Sequence, residues 1–272
     1  MAAVETVLES ARAAGRPSLV TYVTGGVRAD WADLLAAMIG AGADAVEVGM
    51  PFSDPMLDGP VIQQASARAI ARGASTDAIL GELRGMDTQG VPLIAMAYAN
   101  HAYHQGLDRY CRALAGAGFA GVIIPDIPAA EADAYLAATA AAGLDATLMV
   151  APATPPDQLA AIAARTRGFL YVMGVMNTTG TTSQNSDAQR WALARRARSL
   201  SARPALIGFG IDSPGRAAAA VRHADGVIVA SALMGQVLAG HTPERVGAAV
   251  AALRTAVDAA RDGGAPDAGG GR

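Results

Sequence analysis

The stretch Ala45-Val46-Glu47-Val48-Gly49-Met50-Pro51-Phe52-Ser53-Asp54-Pro55-Met56-Leu57-Asp58-Gly59-Pro60 reads as a strand, a loop and the start of a helix. Val46 and Val48 alternate with Ala45, Glu47 and Gly49, so Glu47 shares its face with two small residues. A carboxylate in an apolar strand is costly to bury without a partner. Gly59-Pro60 opens a helix, since proline is favoured in a first turn.

The same βα unit recurs along the chain. Short β-branched runs at Leu19–Thr24, Ala45–Gly49, Leu93–Tyr98, Gly121–Ile124, Ala146–Val150, Phe169–Met173, Ala205–Gly208 and Val227–Ala230 alternate with Ala-rich helical patterns. Eight units predict an α/β fold of the (β/α)8, or TIM, barrel type. A doubly wound sheet is the runner-up, but Thr24-Gly25-Gly26-Val27 lacks the third glycine of a dinucleotide fingerprint. An amphipathic segment, Ala2–Ala14, predicts an extra N-terminal helix that caps the barrel floor. Helices are expected at Val61–Arg72 and Thr76–Met86. No linker divides the chain, so residues 1–262 are expected to form one domain and the Gly- and Ala-rich 263–272 a disordered tail.

Composition excludes several chemistries. The chain of 272 residues is 52% hydrophobic and 17% charged, enough to build a substantial core. A net charge of −3 gives no reason to expect nucleic acid. Arg195, Arg196 and Arg198 read as a solvated helix face. The one cysteine, Cys111, excludes an intrachain disulfide and reads as a packing residue. All 21 basic residues are arginine, so no Schiff base and no pyridoxal aldimine can form on a lysine. No basic leader precedes a long apolar segment and no apolar run reaches membrane-spanning length, so a cytoplasmic protein is expected.

Catalytic groups in a barrel stand at the C-terminal ends of strands, where Glu47 lies. Burial there raises its pKa and suits it to move protons near neutrality. The alternative is a buried Glu paired with an arginine. Asp58 is a second acid on the loop, or else a helix cap; Asp54 reads as a turn residue. Gly208-Phe209-Gly210-Ile211, Ala230-Ser231-Ala232 and Thr178-Thr179-Gly180 follow the seventh, eighth and sixth strands, where barrels gather backbone N–H groups around phosphate. Tyr22, Met96, Tyr98, Ile123 and Val150 are core or pocket wall, and Tyr22 and Tyr98 are carried as substrate-binding candidates. His101 and His104 have a possible ligand spacing but no companion ligand, and read as polar loop or helix-start residues with no metal.

The run from Glu47 to Gln63 closely resembles the signature of the tryptophan synthase α subunit family. Ala41–Ala45, Tyr98-Ala99-Asn100, Pro125-Asp126-Ile127-Pro128 and Gly208–Ile211 extend the resemblance over about residues 17 to 260. It implies a lyase of tryptophan biosynthesis that cleaves indole-3-glycerol phosphate to indole and glyceraldehyde 3-phosphate. It implies catalysis by Glu47 and Asp58 and substrate or phosphate contacts at Thr179, Gly180, Gly210, Ala230 and Ser231. No cofactor is implied. The partner implied is a β subunit in an α2β2 assembly. The chain departs from the family pattern at Asn177-Thr178, at Ala230 in place of glycine, and at Gly25-Gly26-Val27 in place of Gly-Asp-Pro. Those departures keep open a stand-alone indole-releasing lyase, or a weakly catalytic partner that activates a β subunit.

Overall fold

The β2 unit forms as its sequence predicts. In a computed structural model, which describes residues 3–174, 184–208 and 210–262, Ala45–Gly49 is strand β2, and its five residues are all buried. The other strands are β1 (Ser18–Thr24), β3 (Leu93–Met96), β4 (Phe119–Ile123), β5 (Asp145–Val150), β6 (Leu170–Met173), β7 (Ala205–Gly208) and β8 (Gly226–Val229). All pairings are parallel. β1 pairs with β8 as well as β2, so the sheet closes into a barrel in chain order and the doubly wound alternative is excluded.

Helices α1 (Val4–Ala13), α2 (Trp31–Gly40), α3 (Pro60–Ala71), α4 (Thr76–Leu83), α5 (Ala99–Gln105), α6 (Leu107–Gly116), α7 (Asp133–Ala141), α8 (Pro156–Arg165), α9 (Gln184–Leu200), α10 (Pro214–Ala220), α11 (Ser231–Leu238) and α12 (Pro243–Asp262), with a short 3-10 helix at Ala129–Glu131, complete the described elements. The expected tail 263–272, together with Thr178, Thr179, Gly180 and Phe209, lies outside the described residues. Only β2 and β7 keep the expected bounds; β1, β5, β6 and β8 shift by one residue, and the larger differences, at β4 and β3, have local causes. β4 starts at Phe119 because Gly118, at φ +95°, ends the preceding turn at once. β3 stops at Met96 because Tyr98 already caps α5, with the Ala99 N–H donating to Asp126 Oδ1 at 2.8 Å.

Strand alternation splits the core into two layers. Val20, Ala45, Ile94, Ile123, Phe169, Tyr171, Leu206 and Ile228 fill the barrel interior. Leu19, Val23, Val46, Val48, Val122, Val172 and Val227 face the helices. Helix α1 closes the floor as expected: Val4 and Leu8 join the interior layer. Val4 comes so near that a Cβ on Gly121 would stand 2.9 Å from its Cγ2. At that floor Asp44 accepts from the Leu19 N–H at 2.8 Å and pairs with Arg254 at 3.0 Å and Arg16 at 2.6 Å, tying α12 to the barrel. Cys111 is fully buried in α6.

Two tyrosines cross to the next strand near the mouth. A Cβ on Gly49 would stand 1.8 Å from Tyr22 Oη, and one on Gly208 would stand 2.3 Å from Tyr171 Oη. Each ring lies over a glycine that ends its neighbour. Gly25 and Gly26 have a different use: they bring the loop after β1 against Ile79 and Ala74, where Cβ atoms would come within 2.6 Å.

Candidate active site

Glu47 is the last inward-facing residue but one of β2, level with Tyr22 on β1 and Ile94 on β3. It is 1% exposed. Its Oε1 has no hydrogen-bond partner, and among the described residues no arginine pairs with it. The structural alternative, a buried ion pair, therefore finds no support. Burial alone pushes its pKa up to about 8, so the carboxyl holds its proton at neutrality.

Asp58 opens on the same cavity, which measures about 130 Å³. Helix α3 is capped by Gly59 without a side-chain hydrogen bond, so the Asp58 carboxylate is not the cap. Its Oδ2 accepts from Tyr98 Oη at 3.1 Å. Burial raises its pKa to about 6, and the Tyr98 hydrogen bond works in the opposite direction. The loop carrying Asp58 is braced from the loop after β3. Phe52 stacks on Tyr98 at 5.0 Å, and His101 Nε2 lies 3.2 Å from Pro51 O. His101 is thus a loop brace within α5, which also carries His104. Asp54 receives the Ser53 hydroxyl and its carbonyl accepts from the Met56 N–H, the turn role expected of it.

The cavity wall gathers most of the remaining candidates. Tyr22, Gly210, Ala230 and Ser231 line it, and so does Met96. Gly210 has φ +73°, a conformation open to glycine. Ala230 has φ −113°, which any residue adopts, so its methyl group brings no backbone strain. Ser231 begins α11, whose first N–H groups have no partner within the helix. Tyr98 is not part of the wall and reaches the cavity through Asp58. Ile123 is interior core and Val150 belongs to the outer layer.

The structure adds wall residues that the sequence reading passed over: Ile62, Tyr171, Asp212 and Ile228. Tyr171 and Ile228 carry an available signal, because each alternates with outward-facing aliphatic residues, Leu170 and Val172 for the first and Val227 and Val229 for the second. Asp212 lies in the loop before α10 and Ile62 in the first turn of α3, where a single sequence offers no directional cue.

Comparison with known proteins points to one family. The family model described as tryptophan synthase alpha chain matches residues 8–261. The tryptophan synthase alpha chain of Chloroflexus aurantiacus is 40% identical over 253 residues, covering 91% of this chain and 94% of that one. That of Thermosynechococcus vestitus is 39% identical over 260 residues, covering 92% and 96%. Among solved structures, Mycobacterium tuberculosis tryptophan synthase superposes with a TM-score of 0.85 at 33% identity, covering 95% of this chain and 99% of that one. The tryptophan synthase subunit alpha from Legionella pneumophila superposes at 0.84 with 31% identity, covering 95% and 99%.

Proposed function

The chain belongs to the tryptophan synthase alpha chain family, and from that premise we propose that Glu47 and Asp58 are the acid–base pair of its reaction. The activity is a carbon–carbon lyase step of tryptophan biosynthesis, the cleavage of indole-3-glycerol phosphate to indole and glyceraldehyde 3-phosphate. The observation that carries the assignment is a proton-holding Glu47, with Oε1 free of any hydrogen-bond partner, in one cavity with Asp58.

The chemistry follows from the two environments. Protonated Glu47 delivers its proton to C3 of the indole ring, which places positive charge on the ring nitrogen. The Asp58 carboxylate accepts a hydrogen bond from the indole N–H and stabilises that charge. Glu47, now a carboxylate, takes the proton of the C3′ hydroxyl. The C3–C3′ bond breaks, its electron pair restores the indole, and the oxygen becomes the aldehyde carbonyl. The apolar wall of Ile62, Met96 and Ile228 suits the indole ring. The N–H groups at Gly210 and at the start of α11 suit the phosphate. Thr179 and Gly180 belong to the same proposal by family resemblance. No step calls for a cofactor.

A β subunit is the partner that goes with this family. The proposal extends to an α2β2 assembly in the cytoplasm. Met56 and Tyr103, 77% and 53% exposed on the segments after β2 and β3, offer apolar surface for that partner. No helix among the described residues is long and apolar enough to cross a membrane.

The test is to supply indole-3-glycerol phosphate to the purified chain, with and without a β subunit, and to measure indole and glyceraldehyde 3-phosphate. Slow release that the partner accelerates supports the reading. Fast release unaffected by the partner identifies a stand-alone lyase, and no release in either condition overturns the assignment of the acid pair.

A further inference from the structure

Arg190 breaks the pattern of its helix. It lies on the buried stripe of α9 with Ala194 and Ala197, and only 6% of it is exposed. Its Nη1 is 3.4 Å from Asp187 Oδ1, but that oxygen accepts from Arg216 Nη2 at 2.9 Å. Among the described residues, neither Nε nor Nη1 of Arg190 has a hydrogen-bond partner. A guanidinium stays charged in a protein, so a buried one with unmet donors is expensive. Such an arrangement persists where a ligand meets the donors.

The neighbour of those donors is Gly210. A Cβ on Gly210 would stand 3.0 Å from Nη1 and 3.2 Å from Nη2. Gly210 itself lines the cavity that holds Glu47, so one glycine separates the guanidinium from that cavity. Ala230 and Ser231, at the start of α11, line the same cavity. The same wall contains Asp212, a carboxylate that repels an anion. An anionic group received here needs a cation nearby. Of the two arginines at Asp187, Arg216 makes the closer contact, and Arg190 is the one set against Gly210.

We propose that Arg190 is a phosphate-recognition residue, whose guanidinium, held against Gly210, gives charge and hydrogen bonds to the phosphate of the substrate. The inference rests on the phosphate reading of the Gly210 and Ser231 loops. Glycine at 210 then has two causes, its left-handed backbone and the space that Arg190 occupies.

The two ideas are separated by titrating the purified full chain with sn-glycerol 3-phosphate and, separately, with indole. Wild type is expected to bind both; binding of indole without glycerol 3-phosphate would overturn the phosphate reading and this inference with it. The decisive variant is R190M, which keeps length and removes charge. It is expected to weaken glycerol 3-phosphate at least tenfold and to raise KM for indole-3-glycerol phosphate more than it lowers kcat. Its affinity for indole stays, and its melting temperature holds or rises, because an unmet buried charge is gone. R190K, which keeps the charge without the fork, falls between the two. A variant that melts earlier and binds glycerol 3-phosphate like wild type makes Arg190 a packing residue and leaves the phosphate site standing. If R190M does not fold, R190K decides: unchanged affinity for glycerol 3-phosphate overturns the proposal, and a partial loss upholds it.

Discussion

Tyr98 holds Asp58 from two sides: its hydroxyl donates to Asp58 Oδ2 at 3.1 Å and accepts from the Leu57 N–H, also at 3.1 Å. One side chain thus fixes both the carboxylate and the backbone just before it. Tyr98→Phe should lower kcat/KM by about tenfold, the scale of one charge-assisted hydrogen bond. Because that bond lowers the Asp58 pKa, the acidic limb of the rate profile should also move to higher pH. A loss of rate with an unmoved limb would reduce Tyr98 to a packing role.

The two acids titrate in an order that suits the roles proposed for them. Asp58 ionises at about 6 and Glu47 at about 8, so protonated Glu47 coexists with ionised Asp58 between those values. The pH profile of kcat/KM should be a bell with limbs near them. Glu47→Gln should lower kcat by about 10²–10⁴-fold, the usual range for general acid–base groups. A flat profile from pH 6 to 8 would contradict the assignment.

Glu47 also makes stability depend on pH. Its folded-state pKa is raised, so from about 4.5 to about 8 the folded chain keeps a proton that the unfolded chain has released. The contribution is whole below the lower value and is lost as pH rises through the upper one, at no more than about 1.4 kcal/mol per pH unit. Glu47→Gln cannot ionise, and its stability should fall less over this window than that of wild type. Urea melts of both proteins at several pH values test this; parallel curves would refute it.

At the opposite end of the barrel, Asp44 is 9% exposed and serves Arg16, Arg254 and the Leu19 N–H together. Asp44→Ala should cost about 3 kcal/mol, because it strands a mostly buried arginine and a buried N–H. The urea midpoint should drop while kcat of the remaining folded enzyme holds. A midpoint within error of wild type would show that Arg254 finds enough support from Asp258 and the Pro17 carbonyl.

The barrel was legible because each strand is a short β-branched run closed by a turn, and the eighth strand completes a ring that no local feature states. Glu47 was legible because strand alternation gives its direction. Tyr98 was legible as a residue of the site, but its bond to Asp58 spans 40 positions and has no sequence signal. Arg190 had a signal that was passed over, since it occupies the Ala194 and Ala197 stripe where an arginine is out of place. Thr179 and Gly180 rest on resemblance alone, because residues 175–183 are not described.

The rings of Tyr22 and Tyr171 occupy the space where side chains of Gly49 and Gly208 would be. Each tyrosine and its glycine are therefore expected to change together. A lineage cannot enlarge residue 49 or 208 while the ring remains, and one that loses the ring gains a vacancy which either glycine can then fill by mutation. Changes in the size of the molecule admitted at the mouth should run through paired replacements on adjacent strands, and double-mutant cycles across each pair should show strong coupling.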